Sequence, residues 1–538
     1  MIRQLTGRER VLALAGLMLV LFLVSLDQTV VSTAMPRIIA DLNGFELYAW
    51  VTTAYLLAET TVIPIVGKLG DMYGRKWITV IGVALFVGAS AFCGLATSMP
   101  WLIVWRGIQG LGGGMLLSTV FALVADIFPN LKDRARYQGI LFSVFALSSV
   151  VGPVLGGWIT DSLNWRWVFY VNLPLGLLAL AVLPFVLPQS KRKPNAKIDL
   201  AGATLITISV VALLLSVEYA GAGNGWTSPL TLGGLAIAAL AFAVFVPVEL
   251  RAAEPIIPFS LFRNRTFSSI ALVMLMVGVA MFGITLYTPL FVQGVLGISA
   301  SGSGAVMTPM VLTMVVMGIV VGQIIARTGQ IKPLLIFGTA MLALGVFLLT
   351  TLNVTSSSWL VSVYLFVMAL GLGSVMPVTT LAVQNAVDPA MLGVATSSTQ
   401  FIRSIGATVG TAVIGTIVTG GYGRQLAATA PEGTPQQMLN ALHSPNALVN
   451  QDALDKLNQL AASLPNSTAI VSGLLDAARA ALAHAIQSGF YLVLAAAVIG
   501  FGCSFLMQNL RLAEKPATGG MGAPAEAGFT AVERSTGD

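Results

Sequence analysis

The chain is poor in charged residues, histidine and cysteine. Its 538 residues contain 9% charged side chains, two histidines and two cysteines, whereas soluble domains carry about 25% charged residues. Cys93 and Cys503 both lie inside apolar runs, so the sequence predicts neither a disulfide framework nor a metal site. His443 and His484 lie outside the main apolar runs, which argues against a histidine proton relay. A membrane enzyme would need a nucleophile or metal cluster that these residues do not supply.

Long apolar runs occupy the chain instead, and 56% of the residues are hydrophobic. About 20 consecutive apolar residues suffice to cross a bilayer as a helix, so the sequence predicts an all-α polytopic membrane protein. The first run lacks a small-residue cleavage site, and we interpret it as a retained helix. Fourteen spans are predicted, at residues 11–33, 47–67, 77–97, 101–124, 139–159, 168–187, 199–219, 230–248, 267–288, 300–325, 333–352, 359–381, 394–419 and 486–509.

Lysine and arginine indicate the orientation of these spans. With the N-terminus inside, 22 of the 28 Lys and Arg residues lie on the inner side, Arg403 counted among them, and five lie outside. Cytoplasmic loops carry such an excess. The sequence therefore predicts cytoplasmic termini in the cell inner (plasma) membrane. The net charge of +6 follows from the same loops and does not indicate a nucleic-acid partner.

A glycine-rich segment, Gly67–Lys76, lies between predicted spans 2 and 3 and is typical of a tight turn at a membrane surface. Gly322–Gly329 repeats its outer glycine spacing after span 10, with alanine where the first segment has Asp71. This repeat predicts two six-span halves with spans 7 and 8 inserted between them. The predicted regions are residues 1–190, 191–265, 266–511 with an outer loop at 420–485, and a disordered tail at 512–538.

The outer loop at 420–485 contains four leucines at helical spacing, which predicts a short amphipathic helix. We interpret it as a surface helix that rests on the protein or on the membrane interface, and a substrate lid is the alternative. The four residues are Leu454, Leu457, Leu460 and Leu464.

The candidate ionisable residues inside predicted spans are Asp27, Glu59, Arg106 and Glu218, where a charge costs about 2.5–3.5 kcal/mol even on an insertion scale. Asp27 and Glu59 can be neutralised by a proton, so both are candidate proton carriers; a structural, hydrogen-bonded acid is the alternative for each. Arg106 keeps its charge and needs an acid or backbone carbonyls as partners, and Asp27 or Glu59 could serve. Such a pair could couple proton movement to conformation, and a static brace between helices is the alternative. Glu218 lies at the outer end of span 7, where it can reach water. Tyr55 shares a helix face with Glu59.

Predicted span 5 contains a proline and several glycines: Gly152, Pro153, Gly156 and Gly157. Proline kinks a helix, and glycines permit close helix approach. The pattern fits ordinary close packing or a rocking interface between the two halves.

Five segments in this order resemble the fourteen-span drug:proton antiporter branch of the major facilitator superfamily. Gly67–Lys76 is similar to its inner-loop signature, and Arg106–Gly114 is similar to its fourth-span signature. Gly152–Gly157 resembles its fifth-span antiporter signature. The remaining two segments are Leu26–Pro36 and Trp165–Gly176.

The resemblance implies a major facilitator fold of two six-helix halves plus two inserted helices. It implies gating roles for Gly67, Asp71, Gly74, Arg75, Gly152, Pro153, Gly156 and Gly157. It implies proton coupling by Asp27 and Arg106, to which burial alone adds Glu59. The expected substrate-binding residues are Asp27, Tyr55, Glu59 and Gln109.

We therefore predict a proton-driven exporter of amphipathic, cationic or lipophilic compounds that works by alternating access. It would be a monomer in the bilayer, with no cofactor beyond the proton motive force. An exporter of a lipid, siderophore or metabolite is the alternative on the same fold. A receptor or scaffold is a weaker alternative, because it gains little from buried charges.

Overall fold

The computed structural model describes residues 5–42, 47–189, 197–221, 225–431, 434–461 and 467–509. Within them, fourteen helices are long and apolar enough to cross a membrane, which confirms a multi-pass all-α membrane protein. In chain order, spans 1 to 14 are Gly7–Leu42, Trp50–Tyr73, Arg75–Gly94, Met99–Ile127, Leu131–Ser162, Trp167–Val186, Leu200–Tyr219, Pro229–Arg251, Arg265–Val295, Gly302–Thr328, Lys332–Leu349, Ser358–Ala386, Pro389–Thr429 and Ile470–Leu506. We call the side where span 1 begins and span 14 ends proximal, and the opposite side distal.

Spans 1–6 and spans 9–14 pack in the same way, with each span number shifted by eight. In the first half, span 1 packs on spans 5 and 6, span 4 on spans 2 and 3, and span 3 on span 6. In the second half, span 9 packs on spans 13 and 14, span 12 on spans 10 and 11, and span 11 on span 14. The chain therefore has two six-helix halves plus two inserted helices.

The two halves meet along two main helix contacts. Span 2 packs against span 13, and span 5 packs against span 10. The inserted spans 7 and 8 pack on one another, and span 7 also touches spans 2 and 13. The inserted pair therefore flanks the first of the two contacts.

The predicted loop at Gly67–Lys76 is wrong in extent, because most of it is helix. Span 2 continues to Tyr73, and span 3 begins at Arg75. Gly74 alone makes the turn, with φ at 96°, a conformation that only glycine adopts without steric cost. The helix tolerates its charged residues because each of them has a partner, as described below. Gly329, with φ at 68°, ends span 10 in a similar position.

The predicted non-spanning segment 420–485 is also mostly helical. Span 13 continues to Thr429, and span 14 belongs to a helix that begins at Ser467. The extension at the start of span 14 is rich in alanine, which has the highest helix propensity, so this helix continues past the hydrocarbon. Two short helices, Gln436–Ala441 and Gln451–Ala461, lie between them.

The predicted amphipathic helix is confirmed, and it rests on the second half. Leu457 is 1% exposed and belongs to the main hydrophobic cluster of that half. Nearby, the hydroxyl of Tyr422 donates a hydrogen bond of 2.8 Å to the carbonyl oxygen of Leu442. Leu464 and the predicted tail at 512–538 lie outside the described residues. The lid alternative stays a prediction.

Candidate functional site

A buried ion pair lies inside the first half. Arg106 of span 4 donates from Nη1 to Oδ2 of Asp27 in span 1 at 2.6 Å. The side chains are 2% and 0% exposed. The guanidinium also stacks over the ring of Tyr55, 4.3 Å from its centroid. Of the two acids that the sequence offered to Arg106, the structure selects Asp27.

Amide side chains complete this pair. Gln109 and Asn172 each donate to Oδ1 of Asp27 at 2.8 Å. Ser90 accepts from Asn172 at 2.9 Å and from Gln109 at 3.2 Å. The network joins spans 1, 3, 4 and 6, and both carboxylate oxygens of Asp27 are hydrogen-bonded. Sequence analysis missed Ser90 and Asn172, although a polar residue within an apolar run was a usable signal.

Glu59 lies outside this network but next to it. Its Oε2 accepts a hydrogen bond of 2.9 Å from Gln28, the residue that follows Asp27 in span 1. The residue is 6% exposed. Gly114 lets span 4 pass closely, because a Cβ there would lie 2.5 Å from the carbonyl oxygen of Glu59. The two acids are therefore neighbours with separate partners.

A narrow cavity lies between the two halves. Its volume is about 40 Å³, well below the roughly 300–1,000 Å³ of drug-sized sites, so the halves must separate to admit such a ligand. Aromatic and methionine side chains dominate its wall. The lining residues are Leu117, Phe121, Phe142, Phe145, Met281, Met314, Leu372, Gly373, Met376, Gln400 and Arg403.

Arg403 is a charged residue that sequence analysis misplaced. The orientation count put it in an inner segment although it falls within predicted span 394–419, and the structure places it in span 13, where it lines the cavity. Its Nε donates to Oε1 of Gln400 at 3.2 Å. Span 13 begins earlier than predicted, at Pro389, which places Arg403 more than three turns into the helix. Each half therefore has an arginine within a span, Arg106 in the first half and Arg403 in the second.

The predicted substrate-binding residues do not line this cavity. Asp27, Tyr55 and Gln109 are 0% exposed and lie inside the first half. Glu59 stands on span 2, which packs against span 13. Their roles in binding stay predictions.

Asp71 joins the two halves at the proximal side. Its carboxylate accepts the backbone N–H groups of Gly393 at 3.0 Å and Val394 at 2.8 Å, in the first turn of the α-helix of span 13. A negative charge is favourable at a helix N-terminus. Arg75 holds the same carboxylate at 2.5 Å and contacts Asp126 at 2.6 Å. We call this cluster the Asp71 latch.

The neighbouring turn of span 2 adds two contacts. Lys68 forms a 2.6 Å ion pair with Glu254, which follows span 8. Gly67 approaches span 13 so closely that a Cβ would overlap the side chain of Ser397. The proximal end of span 2 therefore connects the second half and the inserted pair.

The second contact between the halves consists of small residues. A Cβ on Gly322 of span 10 would lie 2.6 Å from the carbonyl oxygen of Ala135 in span 5. Ser143 of span 5 donates to the carbonyl oxygen of Val315 at 3.0 Å. Ala326 occupies the position that corresponds to Asp71 in the repeat. This contact therefore lacks the aspartate of the first.

The glycines of span 5 face the interior of the first half. A Cβ on Gly152 would overlap the side chain of Thr29, and one on Gly156 would lie 3.0 Å from the carbonyl oxygen of Val30. Both partners belong to span 1. In this structure the glycine face therefore packs within the first half, as the close-packing interpretation predicts, and does not contact the second half. Gly157 has no neighbour within 4 Å of a Cβ, and Pro153 is exposed.

Glu218 has a weaker environment than the other acids within spans. It is exposed, and it accepts a 3.4 Å hydrogen bond from Thr53 of span 2. This agrees with the expectation that it can reach water.

Comparison with known proteins places this arrangement in a family. Residues 17–411 match the model of the Major Facilitator Superfamily. The multidrug transporter protein MdtP of Bacillus subtilis is 37% identical over 530 residues, covering 95% of this chain and 95% of the relative. Multidrug resistance protein 3 of Bacillus subtilis is 36% identical over 411 residues, covering 76% of this chain and 80% of the relative.

A solved structure has a similar fold. The crystal structure of the human organic anion transporter MFSD10 matches with a TM-score of 0.62 and 15% identity, covering 94% of this chain and 100% of that chain. At this identity the likeness concerns the fold alone. The family and the relatives make the chain a transporter rather than an enzyme. With fourteen spans, two repeated halves and a family match over most of its length, the chain belongs to the major facilitator superfamily.

Proposed function

We propose that the chain is a proton-coupled exporter, a drug:H⁺ antiporter that moves amphipathic compounds out of the cytoplasm by alternating access. The observation that carries the proposal is Glu59, a buried acid on the span that packs against the other half. The names of the two Bacillus subtilis relatives support drugs as the cargo. The proximal side would face the cytoplasm, in keeping with the lysine and arginine distribution.

Glu59 is the better candidate for the exchangeable proton. Asp27 already accepts three hydrogen bonds from side chains of its own half, and one of the three donors is the charged Arg106. A proton on Asp27 would leave Arg106 buried without its partner, which is costly. Glu59 accepts from the neutral amide of Gln28, so it can gain a proton without orphaning a cation in its own half.

The Asp27–Arg106 pair would then transmit the state of Glu59 to the helices. Gln28 and Asp27 are consecutive in span 1, so a shift of Gln28 after protonation of Glu59 moves the backbone that carries Asp27. Spans 1, 3, 4 and 6 would respond together because the network joins them. In this scheme protons enter from the distal side, displace the substrate, and leave to the cytoplasm.

Proteoliposomes with an imposed pH gradient test the proposal. Glu59→Gln should abolish gradient-driven export of a fluorescent amphipathic dye while the protein stays folded. Asp27→Asn should also uncouple export, with a loss of stability in addition. Glu218→Gln is the matched control and should export as the wild type does, because its carboxylate lies at an exposed position. Full gradient-driven export with both Asp27 and Glu59 neutralised would contradict the mechanism.

A second measurement distinguishes a drug exporter from an exporter of a lipid, siderophore or metabolite. Substrate-induced proton release from the purified protein should follow addition of cationic amphiphiles. Release that follows lipids or hydrophilic metabolites instead would favour the alternative.

A further inference from the structure

Spans 2 and 13 run antiparallel along one contact between the halves, and three pairs of residues define their register. Each step between pairs is three or four residues on both helices, which is about one helical turn. From the proximal side, the pairs are Asp71 with Val394 and Gly67 with Ser397, which are in contact, and Ile63 with Phe401, which belong to one hydrophobic cluster. Toward the distal side, Glu59 lies eight residues beyond Gly67 and Arg403 lies six residues beyond Ser397, about 12 Å and 9 Å along the two helix axes.

Arg403 and Glu59 therefore lie within one helical turn of one another in depth, on packed helices of opposite halves. Their charges are close enough to attract one another. Within the described part of the chain they do not form a direct ion pair, and the guanidinium is held by Gln400 at 3.2 Å. The attraction acts across the boundary between the halves, beside the cavity that Arg403 lines.

The other groups around Glu59 cannot take this role. Gln28 of span 1 is neutral and donates one hydrogen bond. Tyr55 lies on the same helix as Glu59 and carries no charge at neutral pH. Arg106 of span 4 is the other nearby cation, and Asp27 engages it at 2.6 Å. Arg403 is thus the cation that faces Glu59 from the opposite half.

We infer that Arg403 is the internal counter-cation of Glu59 and competes with both the proton and a cationic substrate for this carboxylate. The inference rests on the proposed function and specifies its substrate class as aromatic or lipophilic organic cations. Cations bind over aromatic faces, and methionine adapts to ligands of varied shape. The cavity wall offers both types of side chain, including Phe142 and Met314.

This competition links occupancy to the separation of the halves. An ionised, unoccupied Glu59 attracts Arg403 and draws the halves together, in keeping with the narrow cavity. A proton or a substrate cation on Glu59 removes that attraction, so either ligand permits the halves to separate. The proton and the cation exclude one another at Glu59, which is the condition that antiport requires.

Binding of tetraphenylphosphonium to the purified full-length chain tests the competition. At alkaline pH we expect Arg403→Gln to bind this cation about tenfold more tightly than the wild type, since a competing charge is gone. Arg403→Lys should restore wild-type affinity. Arg424→Gln, an exposed position on the same helix, is the matched control and should change nothing. In a Glu59→Gln background, Arg403→Gln should produce no gain.

A substrate-free measurement separates this inference from the proposed function. Spin labels at Ser32→Cys in span 1 and Thr285→Cys in span 9, with Cys503→Ser, report the distance between the halves. In the wild-type background the distance should shorten as the pH rises, and Arg403→Gln should abolish the shortening.

The outcomes are distinct. An unchanged pH response in Arg403→Gln, or a gain in affinity that persists without Glu59, would overturn the inference. If the distance between the labels responds to pH through Arg403 but export is not coupled to protons, the proposed function is wrong and the inference about the charge pair stands.

Discussion

The two six-helix halves pack their spans alike, yet they bury different side chains. The first half encloses the Asp27–Arg106 pair and Glu59. In the second half, buried hydroxyls such as those of Ser374 and Thr379 bond to carbonyl oxygens of their own helix. Packing of helices therefore follows from small residues and apolar faces that both halves have. Charge chemistry is concentrated in one half, and Arg403 offers it a partner from the other.

The two contacts between the halves differ in the same way. Span 2 meets span 13 through the Asp71 latch, whereas span 5 meets span 10 through backbone contacts of glycines. The charged contact can be opened by changing one carboxylate. The glycine contact depends on shape, so it offers no electrostatic switch.

Neutralising Arg106 tests the first difference most severely. Arg106→Gln should destabilise the protein by about 3–5 kcal/mol, because it leaves Asp27 buried without a counter-charge. The double variant Asp27→Asn with Arg106→Gln should recover much of this loss, since no unpaired charge would then remain at this site. Thermal unfolding of the purified protein, followed by tryptophan fluorescence, measures both effects.

A matched control is Arg166→Gln, which breaks a 2.9 Å pair with the half-exposed Asp41. Exposed pairs contribute about 0–1 kcal/mol, so its unfolding temperature should stay near that of the wild type. An Arg106→Gln protein as stable as this control would show that the buried pair is not the structural centre of the first half.

Neutralising Asp71 tests the difference between the two contacts. Asp71→Asn should slow transport by about tenfold, because hydrogen bonds to a charged group contribute about 1.5–3 kcal/mol. Substrate affinity should remain within about twofold, since Asp71 lies far from the cavity wall at the proximal end of span 2. Stopped-flow transport and equilibrium binding separate the two quantities.

The control places the same charge in the second repeat. Ala326→Asp should leave the transport rate of an Asp71→Asn protein low, because the new carboxylate would lie beside the start of span 5, which begins at Leu131, and would not restore the contact between spans 2 and 13. Lost affinity with a normal rate in Asp71→Asn would contradict the latch.

Alanine at the two glycine contacts should give the smallest effects. Gly322→Ala forces a methyl group toward a backbone oxygen of Ala135, and Gly67→Ala places one 2.5 Å from the Cβ of Ser397, which side-chain rotation cannot move. Overpacking costs about 1–3 kcal/mol, so we expect both variants to unfold at lower temperatures than the wild type. Gly157→Ala is the neutral control, because nothing lies within 4 Å of its added Cβ. A Gly322→Ala protein as stable as this control would show that the glycine contact does not depend on shape.

Much of the fold could be predicted because its signals are local. Fourteen runs of apolar residues and the glycine repeat were sufficient for the span count and the two halves, while the orientation indicated by lysine and arginine stays a prediction. Helix ends were less accurate. Span 2 continues through charged Lys68 and Asp71, because each finds a partner that hydropathy along the chain does not reveal. Burial of Asp27, Glu59 and Arg106 could be predicted because acids and an arginine stand out within apolar runs, whereas Arg403 was overlooked because the orientation count assigned it to an inner segment although it lay within a predicted span.

Burial in the membrane could be predicted from the amino-acid sequence alone, whereas the pairing of the buried residues depends on how the helices pack. Burial in hydrocarbon depends on the composition of some 20 neighbouring residues, so it can be read along the chain. Asp27 and Arg106 are 79 positions apart, and Asp71 and Gly393 are 322 apart. Such pairs form because small residues let particular helices approach. Helix packing within the first half therefore determines that Arg106 pairs with Asp27 and not with Glu59.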